Sequence, residues 1–198
     1  SFREFFTVDL TGEFPAGNRA LQPEGIRTAE ASFEYTFSSY PSAHLHLYRE
    51  ETTDAIFSEQ NLPYANNPGA IVEGLEAGVK LAWPNRFTAF VNGSHTRTDL
   101  YNVPKTLLNA GFNFPFPNGW NWNFQAHYVG SRPRDPEDLY GYDPGTPPYR
   151  RPDVSGYFLA DTTLRLLELK KGLELRLSVY NIFDRDTFDP TYEPTKYY

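Results

Sequence analysis

Apolar and polar residues alternate without interruption in the stretch that begins at Gly172. The odd-numbered positions are apolar and the even-numbered positions are polar: Leu173, Leu175, Leu177 and Val179 against Glu174, Arg176, Ser178 and Tyr180. Successive side chains of a β-strand point to opposite faces, so a period of two indicates a strand with one apolar and one polar face. The pattern therefore predicts a strand that starts at Gly172 and closes on Tyr180–Asp184.

Seven further stretches show the same alternation, and turn-forming residues separate them. The predicted strands are Thr28–Tyr40, Ala43–Thr53, Gly69–Trp83, Phe87–Thr98, Thr106–Phe114, Trp120–Tyr128 and Gly156–Leu169. The pair Asn92-Gly93 is a hairpin signal, but the alternation continues through it. A turn there would leave stubs of about five residues, which is short for a membrane strand. The chain is thus predicted to contain eight strands.

The connections between these strands alternate between short and long. The short turns are Pro41-Ser42, Pro84–Arg86, Pro115–Gly119 and Lys170–Gly172, and the long connections follow residues 53, 98, 130 and 183. Transmembrane β-barrels have short turns at one end and long loops at the other. Aromatic residues, which favour a membrane–water boundary, lie beside the short turns: Tyr40, Trp83, Phe87, Phe114, Phe116, Trp120 and Trp122. The pattern predicts an all-β fold, an antiparallel up-and-down transmembrane β-barrel.

The composition of the chain argues against several functional classes. The 198 residues carry a net charge of -7, which argues against a nucleic-acid partner because phosphate binding needs clustered Lys and Arg. The chain has no Cys, so disulfides and thiolate metal sites are excluded. The mean hydropathy of -0.57 is compatible with a membrane barrel, whose strands are apolar on one face only. Because the chain starts at Ser1 and contains no Met, we expect it to be an internal piece of a longer protein.

Four short motifs stand at strand ends in a fixed order. The segment Asn18–Glu30 has the form N-x-x-L-x-P-E-x-x-x-x-x-E, and Gly74-Leu75-Glu76 follows Asn67 and Gly69. The other two are Gly156–Asp161 and Asn181–Asp184, the latter of the form N-[LI]-F-D. Together they resemble, in the same order, segments of TonB-dependent outer-membrane receptors, in which N-[LI]-F-D caps the next-to-last barrel strand. The resemblance covers nearly the whole chain.

The resemblance implies that residues 1–198 are the C-terminal portion of a receptor's β-barrel domain. The family's N-terminal plug and TonB box are not in this sequence. Thr187–Tyr198 contains Pro190 and Pro194 and is predicted to be a loop, so the family's final strand is missing as well. The implied function is energy-coupled import of a scarce ligand, above all a ferric siderophore. The implied location is the outer membrane of a Gram-negative bacterium, with membrane lipid and TonB as partners, the latter reached through the plug.

The longest predicted loop, Ser131–Ser155, is the best candidate for ligand contact. Its arginines can pair with anionic chelate groups and its tyrosines can stack on flat ones. The candidate residues are Arg132, Arg134, Tyr140, Tyr142, Tyr149, Arg150 and Arg151. The alternative is that these residues form a solvated mixture that orders the loop, since loops carry polar residues in any case.

Other candidate chemistry is weaker. His44 and His46 face the polar side with Glu50 nearby, but two polar residues of a barrel interior explain them better than a metal site. Asp184, Asp186, Asp189 and Glu193 lack the pattern of a calcium loop and are predicted to be a solvated turn. No nucleophile–base pair or phosphate loop is present, so neither catalysis nor a cofactor is expected. Two other functional classes stay open: a soluble β-sandwich binding module and a passive porin-like barrel.

Overall fold

The structure, a computed structural model, describes residues 17–37, 41–57, 63–83, 86–135, 139–140, 149–150 and 152–187. These residues form strands β1 (Gly25–Thr36), β2 (Ser42–Thr53), β3 (Ala55–Phe57), β4 (Ala65–Asn67), β5 (Ile71–Trp83), β6 (Phe87–Thr98), β7 (Thr106–Pro115), β8 (Trp120–Val129), β9 (Leu139–Tyr140), β10 (Tyr149–Arg150), β11 (Tyr157–Lys170) and β12 (Leu173–Val179), with one 3₁₀ turn at Pro117–Gly119. Within the described ranges, no helix has the length and apolar character needed to cross a membrane.

The eight long strands form a single sheet in the order β1-β2-β5-β6-β7-β8-β11-β12. Each long strand therefore lies next to the long strand that precedes it in the chain, as in an up-and-down meander. The pairs β6–β7, β7–β8, β8–β11 and β11–β12 are antiparallel by their register. The predicted all-β class and the eight strands are confirmed. Strand β6 runs through Asn92-Gly93, so no turn forms there, as predicted.

The bounds differ from the prediction at several strand ends. Strand β1 starts at Gly25, three residues early, where the chain lies close enough to β2 for a Cβ at Gly25 to be 2.7 Å from Thr53 Oγ1. Strand β11 extends to Lys170, and the register shifts between Leu166 and Lys170. Between these two pairs β11 advances four residues while β12 advances two, so β11 carries two extra residues, an irregularity that alternation alone does not predict.

The predicted short turn between β7 and β8 is confirmed. Asn118 and Gly119 have φ angles of 65° and 80°. Residues 116–119 connect the two strands, and Asn and Gly are the residues that adopt positive φ most readily. Phe116 N–H donates to the Trp120 carbonyl at 2.7 Å, which closes the hairpin.

The chain divides into two compact units. The first consists of Ser1–Glu30 and Tyr48–Glu73, and the second of Ala31–Leu47 and Gly74–Tyr198. In the first unit, the described segment 17–24 lies on the β3–β4 hairpin, and Leu21 is buried there at 6% exposure. The small hairpin was not predicted, because strands of three residues are too short to show alternation.

In the second unit, register separates an apolar face from a polar one. The aligned partners Val91, Ala110, Ala126 and Ala160 belong to the apolar face, and Asn92, Asn109 and His127 to the polar face. Large apolar side chains of the first face are open to their surroundings; Leu177 is 65% exposed and Val91 53%. Soluble sheets bury one face against another layer of protein. In the part of the chain that the structure describes, no second layer covers this face.

Aromatic rings form a continuous row beside the short turns of the second unit. Ring centroids of Trp83 and Phe87 lie 6.3 Å apart, and those of Phe87 and Phe114 lie 6.4 Å apart, both pairs stacked. Phe114 also contacts Phe116 at 4.8 Å. The aromatic cluster predicted at this end of the sheet is thus present. Tyr40 lies outside the described residues.

Candidate functional site at the long-loop end of the sheet

The predicted ligand loop, residues 131–155, rises from a short two-chain stem. Arg132 and Val154 form an antiparallel bridge in which each N–H donates to the other's carbonyl, at 2.9 and 3.0 Å. Below the bridge, a Cβ at Gly156 would lie 2.7 Å from the Val129 carbonyl oxygen, so a side chain there would separate the two chains. We call residues 130–134 and 152–156 the loop stem. The stem continues the pairing of β8 and β11 beyond the sheet.

The side chains of Arg132 and Arg134 both contact residues at the base of the loop. The Arg132 residue is only 6% exposed, and its guanidinium carbon lies 5.8 Å from the centre of the Tyr157 ring, a cation–π arrangement. The Arg134 backbone N–H donates to Asp153 Oδ1 at 3.1 Å, and its Nε donates to the Pro152 carbonyl at 3.0 Å. Two of the four arginines that the sequence suggested for ligand contact thus lie at the base of the loop.

The other candidate residues lie further along the loop. Strands β9 and β10 pair so that Tyr140 is opposite Tyr149 and Leu139 is opposite Arg150. This register places the backbones of two predicted contact residues side by side and that of a third next to them. Tyr142 and Arg151 lie outside the described residues.

The neighbouring loop, residues 99–105, is bonded to the stem. Asn102 adopts a left-handed conformation, with φ of 62°, and its backbone N–H donates to the Pro133 carbonyl at 2.7 Å. Sequence reasoning placed Asn102, Asp153 and Val154 in long loops, but it did not predict that they and Tyr157 make the contacts of the stem. The one available signal was that Asn is a residue that tolerates positive φ, which is typical of a built turn.

A hydrogen-bonded row of polar side chains crosses the polar face below these loops. Asn109 Nδ2 donates to Asn92 Oδ1 at 3.0 Å, and His127 Nδ1 lies 2.7 Å from Asn109 Oδ1. Since an amide oxygen only accepts, the Nδ1 atom of His127 carries the proton. These hydrogen bonds link three neighbouring strands across the polar face.

The N-I-F-D motif is a turn built around Asn181. Its side chain accepts from the Arg185 N–H at 3.0 Å and donates to the Arg185 carbonyl at 3.1 Å. Two bonds tie the turn to β11: Asn181 N–H donates to Asp161 Oδ1, and Ile182 N–H to the Ala160 carbonyl, each at 2.8 Å. With φ of 48°, residue 181 favours Asn over other side chains. Asp189 and Glu193 of the weaker calcium hypothesis lie outside the described residues.

The Asn18–Glu30 motif forms a clamp within the first unit. Asn66 accepts from the Gln22 N–H at 2.7 Å and donates to the carbonyls of Gln22 and Asp54 at 2.9 and 2.8 Å. Asn18 Nδ2 donates to the Tyr64 carbonyl at 2.9 Å, and Glu24 Oε1 accepts from the Ile56 N–H at 2.7 Å. The motif therefore fixes the segment that enters β1 on the β3–β4 hairpin.

His44, one of the two weaker metal candidates, packs against β5. A Cβ at Gly78 would lie 2.5 Å from His44 Cε1, so the imidazole lies over the glycine. Among the residues described by the structure, His, Asp and Glu side chains do not gather in groups of three or more that could hold a metal ion.

Comparison with known proteins supplies a family. A family model described as "TonB dependent receptor-like, beta-barrel" matches residues 1–182. None of the curated proteins compared with the chain matches it.

Solved structures with a similar fold include three iron-related receptors. The FrpB iron transporter from Neisseria meningitidis (F3-3 variant) is 19% identical with a TM-score of 0.65, over 88% of this chain and 28% of its own. A mutant of the ferric enterobactin receptor from Pseudomonas aeruginosa is 20% identical with a TM-score of 0.63, over 86% and 27%. The ferripyoverdine receptor of the Pseudomonas aeruginosa outer membrane, bound to ferripyoverdine, is 14% identical with a TM-score of 0.68, over 85% and 24%. The chain thus spans about a quarter of the length of each, and at these identities the likeness shows a shared fold.

Proposed function

The chain belongs to the family of TonB-dependent receptor β-barrels, and on that premise we propose that it is the C-terminal portion of the barrel of an outer-membrane receptor that imports a ferric siderophore. The observation that carries this proposal is the family match over residues 1–182 together with a fold shared with siderophore and iron receptors. The receptor's cell is a Gram-negative bacterium. The chain's role in it is binding and transport, and it performs no catalysis.

The exposed apolar face supports a location in the membrane. Leu173, Leu175 and Leu177 are 52%, 52% and 65% exposed on one face of β12. Apolar surface left in water is unfavourable by roughly 25 cal/mol per Å², and contiguous apolar patches of this kind mark a membrane or protein interface. The aromatic row at the short turns fits the headgroup level of one leaflet. In this orientation the short turns face the periplasm and the long loops face the outside.

The loop above the stem is the proposed ligand contact. Tyr140, Tyr142 and Tyr149 offer flat rings to a catecholate or a chromophore, and Arg150 and Arg151 offer cations to an anionic chelate. The β9–β10 register supports this grouping, because it sets Tyr140 opposite Tyr149. Arg134 and Arg132 border the same loop from the stem.

Import requires partners that a barrel alone does not supply. We propose that a plug fills the polar side of the sheet in the complete receptor and that TonB acts on it to release the ligand. The polar row of Asn92, Asn109 and His127 suits such a hydrated, polar neighbour.

Ligand binding tests the proposal directly. The receptor that contains this chain, purified in detergent, is titrated with ferric enterobactin and with ferripyoverdine, and tryptophan fluorescence is recorded. We expect saturable quenching by at least one ferric complex and weaker quenching by its iron-free form. Absence of saturable binding by both complexes would contradict the siderophore proposal.

A further inference from the structure

We propose that Arg132 is a positioning residue, which holds the loop stem closed and thereby sets the positions of two loops at the ligand end. The two loops are residues 99–105 and 131–155. The inference rests on the proposed function, because the consequence it predicts is for ligand binding. It assigns Arg132 a role different from ligand contact.

Burial is the first support. Arg132 is 6% exposed and its bridge partner Val154 is also 6% exposed. Their neighbours in the loop are more exposed to solvent. The enclosed guanidinium packs against the stem, with the Tyr157 ring 5.8 Å from its central carbon. A cation over an aromatic face gains strength when water is excluded.

The backbone of Arg132 is the second support. Its N–H and carbonyl make both hydrogen bonds of the bridge to Val154. The side chain joins the same two chains a second time, because Tyr157 lies three residues beyond Val154 on the opposite chain. Arg132 therefore closes the stem through its main chain and its side chain together.

The third support is the connection to the adjacent loop. Pro133 follows Arg132 directly, and its carbonyl accepts the Asn102 N–H at 2.7 Å. The 99–105 loop is itself closed at its base, where Thr96 N–H donates to the Lys105 carbonyl at 2.8 Å. A displacement of Arg132 would move the Pro133 carbonyl and release Asn102, so one residue governs both loops.

A disulfide that replaces the side-chain contact separates positioning from ligand contact. Directly opposed, mutually bonded residues of antiparallel chains have Cα atoms about 5.5 Å apart, which suits a disulfide. Residues 1–198 contain no Cys, so Arg132→Cys with Val154→Cys introduces the only pair of thiols in this part of the receptor. Three receptor variants are compared with the wild type: Arg132→Ala, the double Cys variant oxidised and reduced, and Arg176→Ala as a control that removes an exposed arginine from the middle of β12.

Affinity for ferric enterobactin and ferripyoverdine is the first readout. Arg132→Ala should bind roughly tenfold more weakly, whereas the oxidised Cys variant should return to within about threefold of the wild type. Reduction should weaken binding again, and Arg176→Ala should bind like the wild type. If the oxidised variant binds as weakly as Arg132→Ala, Arg132 contacts the ligand and the positioning role is wrong.

Tyr157 provides a conservative rescue. Tyr157→Phe keeps the ring and should bind within about twofold of the wild type, whereas Tyr157→Leu removes the π face and should resemble Arg132→Ala. Equal binding by Tyr157→Leu and the wild type would contradict a role for the Arg132–Tyr157 contact.

Amide hydrogen exchange tests the role of Arg132 without any ligand, and therefore independently of the siderophore proposal. The amides of Val154 and Asn102 report on the bridge and on the loop junction, and Arg132→Ala should speed their exchange by about tenfold or more. The Ile182 amide, bonded to Ala160 away from the stem, should be unchanged. If the wild type binds no ferric siderophore, the proposed function fails, and the exchange rates still decide the stem. Unchanged exchange at Val154 and Asn102 would overturn the inference.

Discussion

The Phe90 ring lies on the bare backbone of Gly111, its direct cross-strand partner between β6 and β7. A Cβ at Gly111 would lie 2.8 Å from Phe90 Cε1 and 2.9 Å from the carbonyl oxygen of Phe124 on β8. Because Gly111 has no side chain, the ring of Phe90 on β6 and the backbone of β8 can both approach it closely. Phe90 is also a large apolar side chain on the polar face, and this contact explains its presence there.

Gly111→Ala should destabilise the receptor. The new methyl group meets a ring that can turn away and a backbone oxygen that cannot, and overpacking of this kind costs about 1–3 kcal/mol. The measurement is the midpoint of urea unfolding of the receptor in detergent. In a Phe90→Ala background the cost of Gly111→Ala should shrink without vanishing, because the clash with the Phe124 oxygen persists. Equal stability of Gly111→Ala and the wild type would contradict the packing described.

Asn181 should be needed for the turn after β12. Asn181→Ala removes both side-chain bonds to Arg185 and places an alanine at a φ of 48°, which together cost about 2–3 kcal/mol. Asn181→Gly loses the same bonds but has no strain at positive φ, so it should cost less. Thermal unfolding and amide exchange at Arg185 measure the difference. If Asn181→Ala were as stable as Asn181→Gly, the left-handed conformation would not matter.

Leu177 distinguishes a lipid-facing surface from a water-facing one. Leu177 is 65% exposed, so Leu177→Arg breaks no protein core. In a bilayer the arginine should cost up to about 2–4 kcal/mol, depending on depth, and should reduce the amount of folded receptor in the outer-membrane fraction. Ser178→Arg, on the opposite face of the same strand, is the matched control and should assemble normally. Normal assembly of Leu177→Arg would contradict the placement of this face in lipid.

Asn66 should hold the clamp of the first unit. Asn66→Ala removes three hydrogen bonds to the backbone of Gln22 and Asp54, and exchange of the Gln22 amide should rise by about tenfold or more. Asn67→Ala is the matched control, because among the described residues the Asn67 side chain bonds to Ala65 of its own strand and not to Gln22. Comparable exchange at Gln22 in both variants would show that the clamp does not depend on Asn66.

The strands of the sheet could be predicted from the sequence, because each shows a local alternation of apolar and polar residues. The loop stem could not be predicted in this way. Leu173–Val179 alternates with a period of two, so the strand and its apolar face follow from the residues alone. The hairpin of Ala55–Phe57 with Ala65–Asn67 is too short for periodicity and depends on Asn66, whose partner Gln22 is 44 positions away. The burial of Arg132 likewise depends on Tyr157, which is distant along the chain and carries no local signal.

Iron uptake by living cells distinguishes TonB-dependent siderophore import from passive passage through the barrel. Cells that make the receptor are supplied with radioactive iron as ferric enterobactin or ferripyoverdine, in otherwise identical strains with and without TonB. We expect accumulation of at least one complex that depends on the receptor and falls to background without TonB. Accumulation that is the same in both strains would indicate a passive barrel, and no receptor-dependent accumulation of either complex would contradict siderophore import.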